Sequence, residues 1–366
     1  MERTSNRWSR RQFLARTGAA GAAFALAPIL AACTTESKQL AFQNWTDYIA
    51  PSVLADFTSQ TGIVVSYQTY VSNDELAKRL LLASAPRRGG RTGTTFDLIV
   101  PSENFVRQFL ELDLLQPIDA DTSLSNIGNL APAFREEGFD PGNQYTIPWA
   151  TGTTGIGYDT TVFDKPPDWT VFLDTAYQGK MTVLDEIRDA YGASLFSLGL
   201  DPNTTSASEI DAGTDQLIKM KAVIQGFDSS TYIDGLANGH LVAAHAYSGD
   251  LLQAKARNPK LDFVLPEAGA LRWVDSLAVP KDSPNRDNAL TFMNFYLQGE
   301  ISAKNANVIQ YDTGNQAATQ FLDPEVKDNP VIFPPADVLD RLSFTAALGA
   351  DTEKLYAEGW QRVQDA

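Results

Sequence analysis

Soft metal ligands are scarce in this chain of 366 residues, which has one cysteine and two histidines. Cys33 alone cannot close an internal disulfide, and it excludes a cysteine-rich metal cluster. His240 and His245 are too few for the usual histidine zinc site and read as structural residues. Positive charge is also short: 29 Lys and Arg stand against 45 Asp and Glu, a formal balance of -16, which excludes a surface built to grip nucleic-acid phosphates. Cationic partners fit such a balance better. No Walker A loop occurs. The glycines of residues 148–158 make no dinucleotide fingerprint, because the third glycine is missing at the required spacing and no helix follows, so no cofactor is expected. What is present is 43% hydrophobic and 20% charged residues, enough for a substantial core and more than one ordinary domain needs.

Long apolar runs are missing as well. The single candidate, residues 18–30, is thirteen residues without a charge, too short for the ~20 residues that a spanning helix needs. It follows a segment rich in arginine: residues 1–32 hold five arginines and one acid, the pattern of an export signal. Ser9, Arg10, Arg11, Gln12, Phe13 and Leu14 spell the twin-arginine consensus, which exports folded proteins. Leu30, Ala31, Ala32 and Cys33 are similar to a bacterial lipobox, whose cysteine takes a diacylglyceryl group. Cleavage before Cys33 leaves 334 residues with 24 basic and 44 acidic side chains. The expectation is a signal at 1–32, a lipid on Cys33 that attaches the protein to the outer face of the cytoplasmic membrane, and a short tether at 33–39.

Strand signals at 40–43, 63–68, 96–100, 181–184, 241–246, 261–265 and 276–279 alternate with helical ones at 51–60, 74–84, 286–297 and 352–363, an α/β pattern. Ser72 and Asn73 cap the second helix. Residues 86–95, with Arg87, Arg88 and Arg91 among glycines, read as an exposed loop. The run 148–158, extended but interrupted by Gly152, Gly155 and Gly157, suits a crossover between two lobes that needs permissive backbone.

Asn44, Trp45, Thr46, Asp47 and Tyr48, directly after the first strand, resemble the polyamine-binding receptors of ABC importers. The resemblance continues through Thr69 to Asn73, Asp97 to Ser102, the glycine crossover and Trp273 to Pro280. It implies a two-lobed class II periplasmic-binding-protein fold, each lobe an α/β sheet, with residues 40–152 and 275–320 in one lobe and 156–272 and 324–366 in the other. It also implies a monomer that delivers putrescine or spermidine to permease subunits driven by a cytoplasmic ATPase.

A polyamine asks for carboxylates at intervals to meet its ammonium groups and aromatic walls to cover its methylenes. An ammonium over an aromatic face gains ~0.5–2 kcal/mol, and ionised acceptors strengthen its hydrogen bonds. The family pattern, carried over position by position, implies Trp45, Thr46, Asp47, Tyr48 and Ser102 from the first lobe. From the second it implies Glu186, Asp189, Tyr247 and Asp250, and from later crossovers Trp273, Asp275 and Tyr311. Arg188, between two of these acids, leaves open a local surface ion pair. Three departures from the family matter. Tyr247 stands where tryptophan is common, Asn104 where spermidine-type members can carry tyrosine, and Thr345 near a glutamine position. Asp47, Asp250 and Asp275 together resemble the putrescine-type set, which puts putrescine slightly ahead. Two alternatives remain: a receptor of the same fold for another small solute, and a secreted glycosidase using Glu186 and Asp189.

Overall fold

The first strand, β1 (Gln39–Trp45), buries Leu40 and Phe42 completely and is paired in parallel on both sides, with β2 (Val64–Tyr70) and with β3 (Leu98–Ile99). The computed structural model describes residues 38–83, 96–135, 137–346 and 348–366. The export signal, the lipobox with Cys33, residues 33–37 of the tether, and the arginine loop fall outside the described residues. Between β1 and β2 runs α1 (Pro51–Thr61). Proline opens it, where no amide donor is needed, and Gly62 ends it in the left-handed region at φ 73°, donating its N–H to the Thr58 carbonyl. Helix α2 (Asn73–Ala83) follows β2, with the Ser72 hydroxyl accepting the Glu75 N–H at 3.2 Å, the cap that the sequence implies. Helix α3 (Glu103–Glu111) follows β3.

Two long strands then organise everything else. β4 (Thr146–Asp159) runs fourteen residues. Before its partner come β5 (Met181–Val183), α4 (Ile187–Ser197), α5 (Ala207–Lys221), β6 (Gly226–Phe227), α6 (Tyr232–Ala237), β7 (Ala243–Tyr247), α7 (Ser248–Arg257) and β8 (Leu261–Val264). That partner is β9 (Ala270–Ala278), antiparallel to β4 from Thr146 opposite Ala278 to Thr154 opposite Leu271, with an irregularity between Pro148 and Ala150. The hydrogen-bonded order is β2-β1-β3-β9-β4-β7-β5-β6. β8 is added to β4, and β10 (Leu342–Phe344) to β9. Helices α8 (Arg286–Tyr296), α9 (Gly299–Ile309) and α10 (Ala350–Asp365) complete the long elements.

The apolar cores fall into two groups. One gathers Phe42, Phe57, Trp149, Leu277 and Phe292, with an adjoining cluster around Phe109 and Leu115. The other gathers Ile156, Trp169, Phe172, Leu217 and Tyr356, with Tyr232, Leu236 and Leu251 beside it. β4 enters the first group through Ile147 and Trp149 and the second through Ile156 and Tyr158, while β9 contributes Leu271 to the second and Leu277 to the first. A separate sheet in each half is therefore not what forms. The crossover segments are extended, so they satisfy one another's backbone donors and acceptors, and one ladder runs through both halves.

The glycines of the crossover act differently from expectation. None of Gly152, Gly155 and Gly157 has a positive φ, so conformational freedom is not their contribution. Their missing side chains are. A Cβ on Gly152 would lie 2.5 Å from the Trp273 ring, one on Gly155 2.5 Å from the Val264 carbonyl, and one on Gly157 2.6 Å from Leu251. His245, fully buried in β7, stands edge-on to Trp169 at 5.0 Å, and burial lowers its pKa to about 3, so it remains a neutral core residue.

Candidate binding site

Asp275 lies near the end of β9, two residues after Trp273, so both side chains leave the strand on one face. The two arms of its carboxylate are held from the first half of the chain. Ser102 Oγ donates to Oδ1 at 2.6 Å, and the Tyr48 hydroxyl donates to Oδ2 at 3.0 Å. Ser102 is fixed in turn by Asn73, whose Nδ2 donates to Ser102 Oγ at 3.0 Å and whose Oδ1 accepts the Ser102 N–H at 3.2 Å. Asp275 is only 6% exposed, and burial pushes its pKa up to about 7 against the lowering effect of both hydroxyls.

Asp250, in the first turn of α7, also has a donor on each oxygen. Tyr232 donates to Oδ2 at 2.7 Å and Tyr311 to Oδ1 at 3.2 Å. Burial raises this pKa too, opposed by the same two tyrosines. A third carboxylate, Asp189 in α4, receives the Tyr247 hydroxyl at 3.5 Å, and burial pushes it up to about 6. Charge repulsion couples it to Asp275, as a smaller effect than burial.

An aromatic chain ties these acids together. Tyr48 meets Tyr311 edge-on at 5.7 Å, Tyr311 meets Trp273 at 5.1 Å, and Trp273 meets Tyr247 at 6.2 Å, spacings typical of T-shaped pairs. Glycines make room for it: a Cβ on Gly249 would stand 2.5 Å from the Tyr311 ring. Trp273 Nε1 is buried with no hydrogen-bond partner among the described residues.

Eight residues expected from the sequence thus converge: Tyr48, Ser102, Asp189, Tyr247, Asp250, Trp273, Asp275 and Tyr311. Trp45 is half-buried at the end of β1, donating Nε1 to the Val100 carbonyl at 2.9 Å and leaning on Tyr70 at 4.8 Å. Thr46 and Asp47 are exposed on the turn that follows, Asp47 in the left-handed region at φ 54°. They lie outside the buried network. Glu186 is half-buried as the cap residue of α4, and its charge reaches Tyr247.

Arg188 does not neutralise Asp189 through contact. Its guanidinium turns away to Glu353 at 3.1 Å, to Asn203 Oδ1 at 2.9 Å and to the Tyr356 ring at 4.8 Å. Among the described residues, no ion pair uses Asp189, Asp250 or Asp275. Asp275 is buried and Asp189 and Asp250 are half-buried, so three carboxylates drawn out of water without a counter-ion are costly, and no group of His, Cys, Asp and Glu among the described residues is arranged to hold a metal.

Two participants escaped the sequence reading. Tyr232 is fully buried and donates to Asp250, as above. Glu103, 2% exposed at the start of α3, accepts the Val274 N–H at 3.0 Å, pinning the strand between Trp273 and Asp275. Burial pushes its pKa up to about 8, with repulsion from Asp275 and Asp189 adding to it.

The pattern of the family described as bacterial extracellular solute-binding protein matches residues 52–334. The chain belongs to this family. Among curated relatives of this solute-binding protein, the putrescine-binding periplasmic protein SpuD of Pseudomonas aeruginosa is 33% identical over 90% of this chain and 92% of its own length. The spermidine/putrescine-binding periplasmic protein of Escherichia coli is 31% identical over 98% and 99%. Among solved structures, the spermidine/putrescine ABC transporter substrate-binding protein PotD of Streptococcus pneumoniae superposes with a TM-score of 0.77 at 29% identity, covering 89% of this chain and 98% of that one. The TpPotD lipoprotein of Treponema pallidum gives 0.78 at 26%, covering 89% and 99%. The solute-binding protein therefore has the two-lobed fold of these receptors, and family and relatives alike are binding proteins, which removes the glycosidase alternative for Glu186 and Asp189.

Proposed function

We propose that this solute-binding protein is the extracytoplasmic receptor of an ABC importer and that its ligand is a polyamine, putrescine or spermidine, held by Asp189, Asp250 and Asp275 between Tyr48, Tyr247, Trp273 and Tyr311. The observation that carries this reading is the set of three carboxylates, Asp275 buried and Asp189 and Asp250 half-buried, each held by a hydroxyl donor and none in an ion pair among the described residues. A ligand that brings ammonium groups removes the cost of burying them, and the aromatic rings cover the methylenes in between. An anionic solute would meet repulsion from the same three acids. Trp45, Thr46, Asp47, Ser102 and Glu186 complete the ligand set; Thr46 and Asp47, exposed on their turn, close over one end.

In the same reading, residues 40–152 with 275–320 form one lobe and 156–272 with 324–366 the other, a division that the two groups of apolar cores support. Lobe closure is the signal that permease subunits with their cytoplasmic ATPase read from the receptor monomer. A twin-arginine signal exports the chain and a lipid on Cys33 keeps it at the membrane, which the sequence of residues 9–33 supports.

Thermal unfolding tests the ligand class. At a hundredfold excess over Kd a ligand adds about 2.7 kcal/mol to stability, which for a chain of this size is a rise of several degrees in Tm. Putrescine or spermidine gives that rise and sulfate gives none; a rise with sulfate and none with any polyamine overturns the reading.

A further inference from the structure

We propose that Tyr232, outside the ligand contacts named above, is a positioning residue of the site: its hydroxyl locks the Asp250 carboxylate to the backbone of Tyr247 and so fixes where one ammonium group is received. This inference rests on the polyamine reading and adds a residue to it. Tyr232 begins α6, and its side chain is completely buried beside Leu236 and Leu251. The hydroxyl makes two contacts, to Asp250 Oδ2 at 2.7 Å and to the Tyr247 backbone nitrogen at 3.2 Å. An amide N–H can only donate, so it occupies a lone pair of the hydroxyl and leaves the single hydroxyl proton for Asp250. Burial, with the charge of Asp250 behind it, raises the Tyr232 pKa well above its ordinary value, so that proton is always present.

The consequence is directional. Tyr247 and Asp250 lie at the junction of β7 and α7, one a wall and the other an acceptor. Tyr232 joins the backbone of the first to the carboxylate of the second, and Tyr311 holds the other oxygen. With both oxygens engaged, the carboxylate plane is set before a ligand arrives. The remaining lone pairs then face a defined direction, and an ammonium group finds an oriented acceptor instead of a rotating one. Without the Tyr232 donor, Asp250 loses one of the two hydrogen bonds that oppose the rise of its pKa, so its charged form is harder to keep.

The test is putrescine affinity by calorimetry from pH 5 to pH 9 for four proteins: the wild type, Tyr232→Phe, Asp250→Asn and the double variant. Phenylalanine keeps the buried ring, and each Tm is measured alongside. Tyr232→Phe is expected to weaken binding about tenfold at pH 7 and to move the pH midpoint of binding upward. In the Asp250→Asn background the same change is expected to weaken binding less than twofold, because the two residues act as one unit. An equal loss in both backgrounds, or an unchanged pH midpoint, overturns the positioning role and leaves Tyr232 as packing. Failure of the wild type to bind any polyamine is a different result and overturns the ligand reading instead.

Discussion

Asp275→Asn weakens polyamine binding by at least tenfold, and as much as a hundredfold, without lowering the stability of the ligand-free protein. A hydrogen bond to a charged partner contributes about 1.5–3 kcal/mol, and every 1.4 kcal/mol is a factor of ten in Kd. Asparagine keeps the size of the side chain and an oxygen for Ser102, which donates to Asp275 at 2.6 Å. It removes the charge that an ammonium needs. The effect on folding has the opposite sign. The Asp275 pKa is raised to about 7 by burial, so above neutral pH the folded state holds a carboxylate that would rather be in water, and asparagine relieves that penalty. Calorimetry and thermal unfolding at pH 8 read the two effects separately. Wild-type affinity in Asp275→Asn would remove this residue from the site. Trp273→Ala is expected to lose at least tenfold as well, because Trp273 joins Tyr311 to Tyr247, but its loss of packing lowers Tm at the same time.

The second large effect is a steep loss of affinity in acid. Burial raises Asp275 to about 7 and Asp189 to about 6, and lifts Asp250 above its ordinary value as well, and an ammonium binds only the ionised forms. Protons therefore compete with the ligand as pH falls through 7 and then 6. Affinity drops about tenfold per pH unit for each carboxylate that must lose a proton to bind, which gives a hundredfold or more between pH 8 and pH 5. Stability of the ligand-free protein runs the other way. Both folded pKa values lie above the unfolded carboxylate value near 4, so the folded state binds more protons in that window, and stability falls as pH rises from about 4 to about 7 on account of these groups. The Tm gain from putrescine is consequently largest above pH 7 and nearly gone at pH 5. A Kd that stays constant from pH 8 to pH 5 contradicts the role given to Asp189 and Asp275.

The parts of the site at strand ends were legible through the family resemblance, whose motifs fall at those strand ends; spacing alone says only which residues share a face. Trp273 and Asp275 sit two apart in an extended run, and β9 sets them on one face. Tyr247 and Asp250 follow a strand signal and do stand at the junction of β7 and α7. What escaped depends on contacts between distant segments. Tyr232 precedes Asp250 by eighteen residues, and nothing in its neighbours points to the site until α6 packs against α7. Glu103 carries no signal of its own in the sequence, and only the approach of β9 to Ser102 buries it. Arg188 was ambiguous for the same reason, since Glu353 and Asn203 draw it off. The crossover glycines showed where the chain passes between the two cores. That their purpose is the close approach of Trp273, Val264 and Leu251 required coordinates.

On the proposed reading Asp275, buried, and Asp189 and Asp250, half-buried, together receive the ammonium groups of a polyamine. Titration of residues 33–366, carrying Cys33→Ser, with putrescine, cadaverine, spermidine and spermine at low salt and at 0.5 M salt tests it most directly. One-to-one binding of putrescine or spermidine at submicromolar Kd that survives high salt is the expected result, because buried and partly buried charges are screened far less than surface ones. Weak binding of all four, erased by salt, would mean that cations only condense on an acidic surface, and would contradict it.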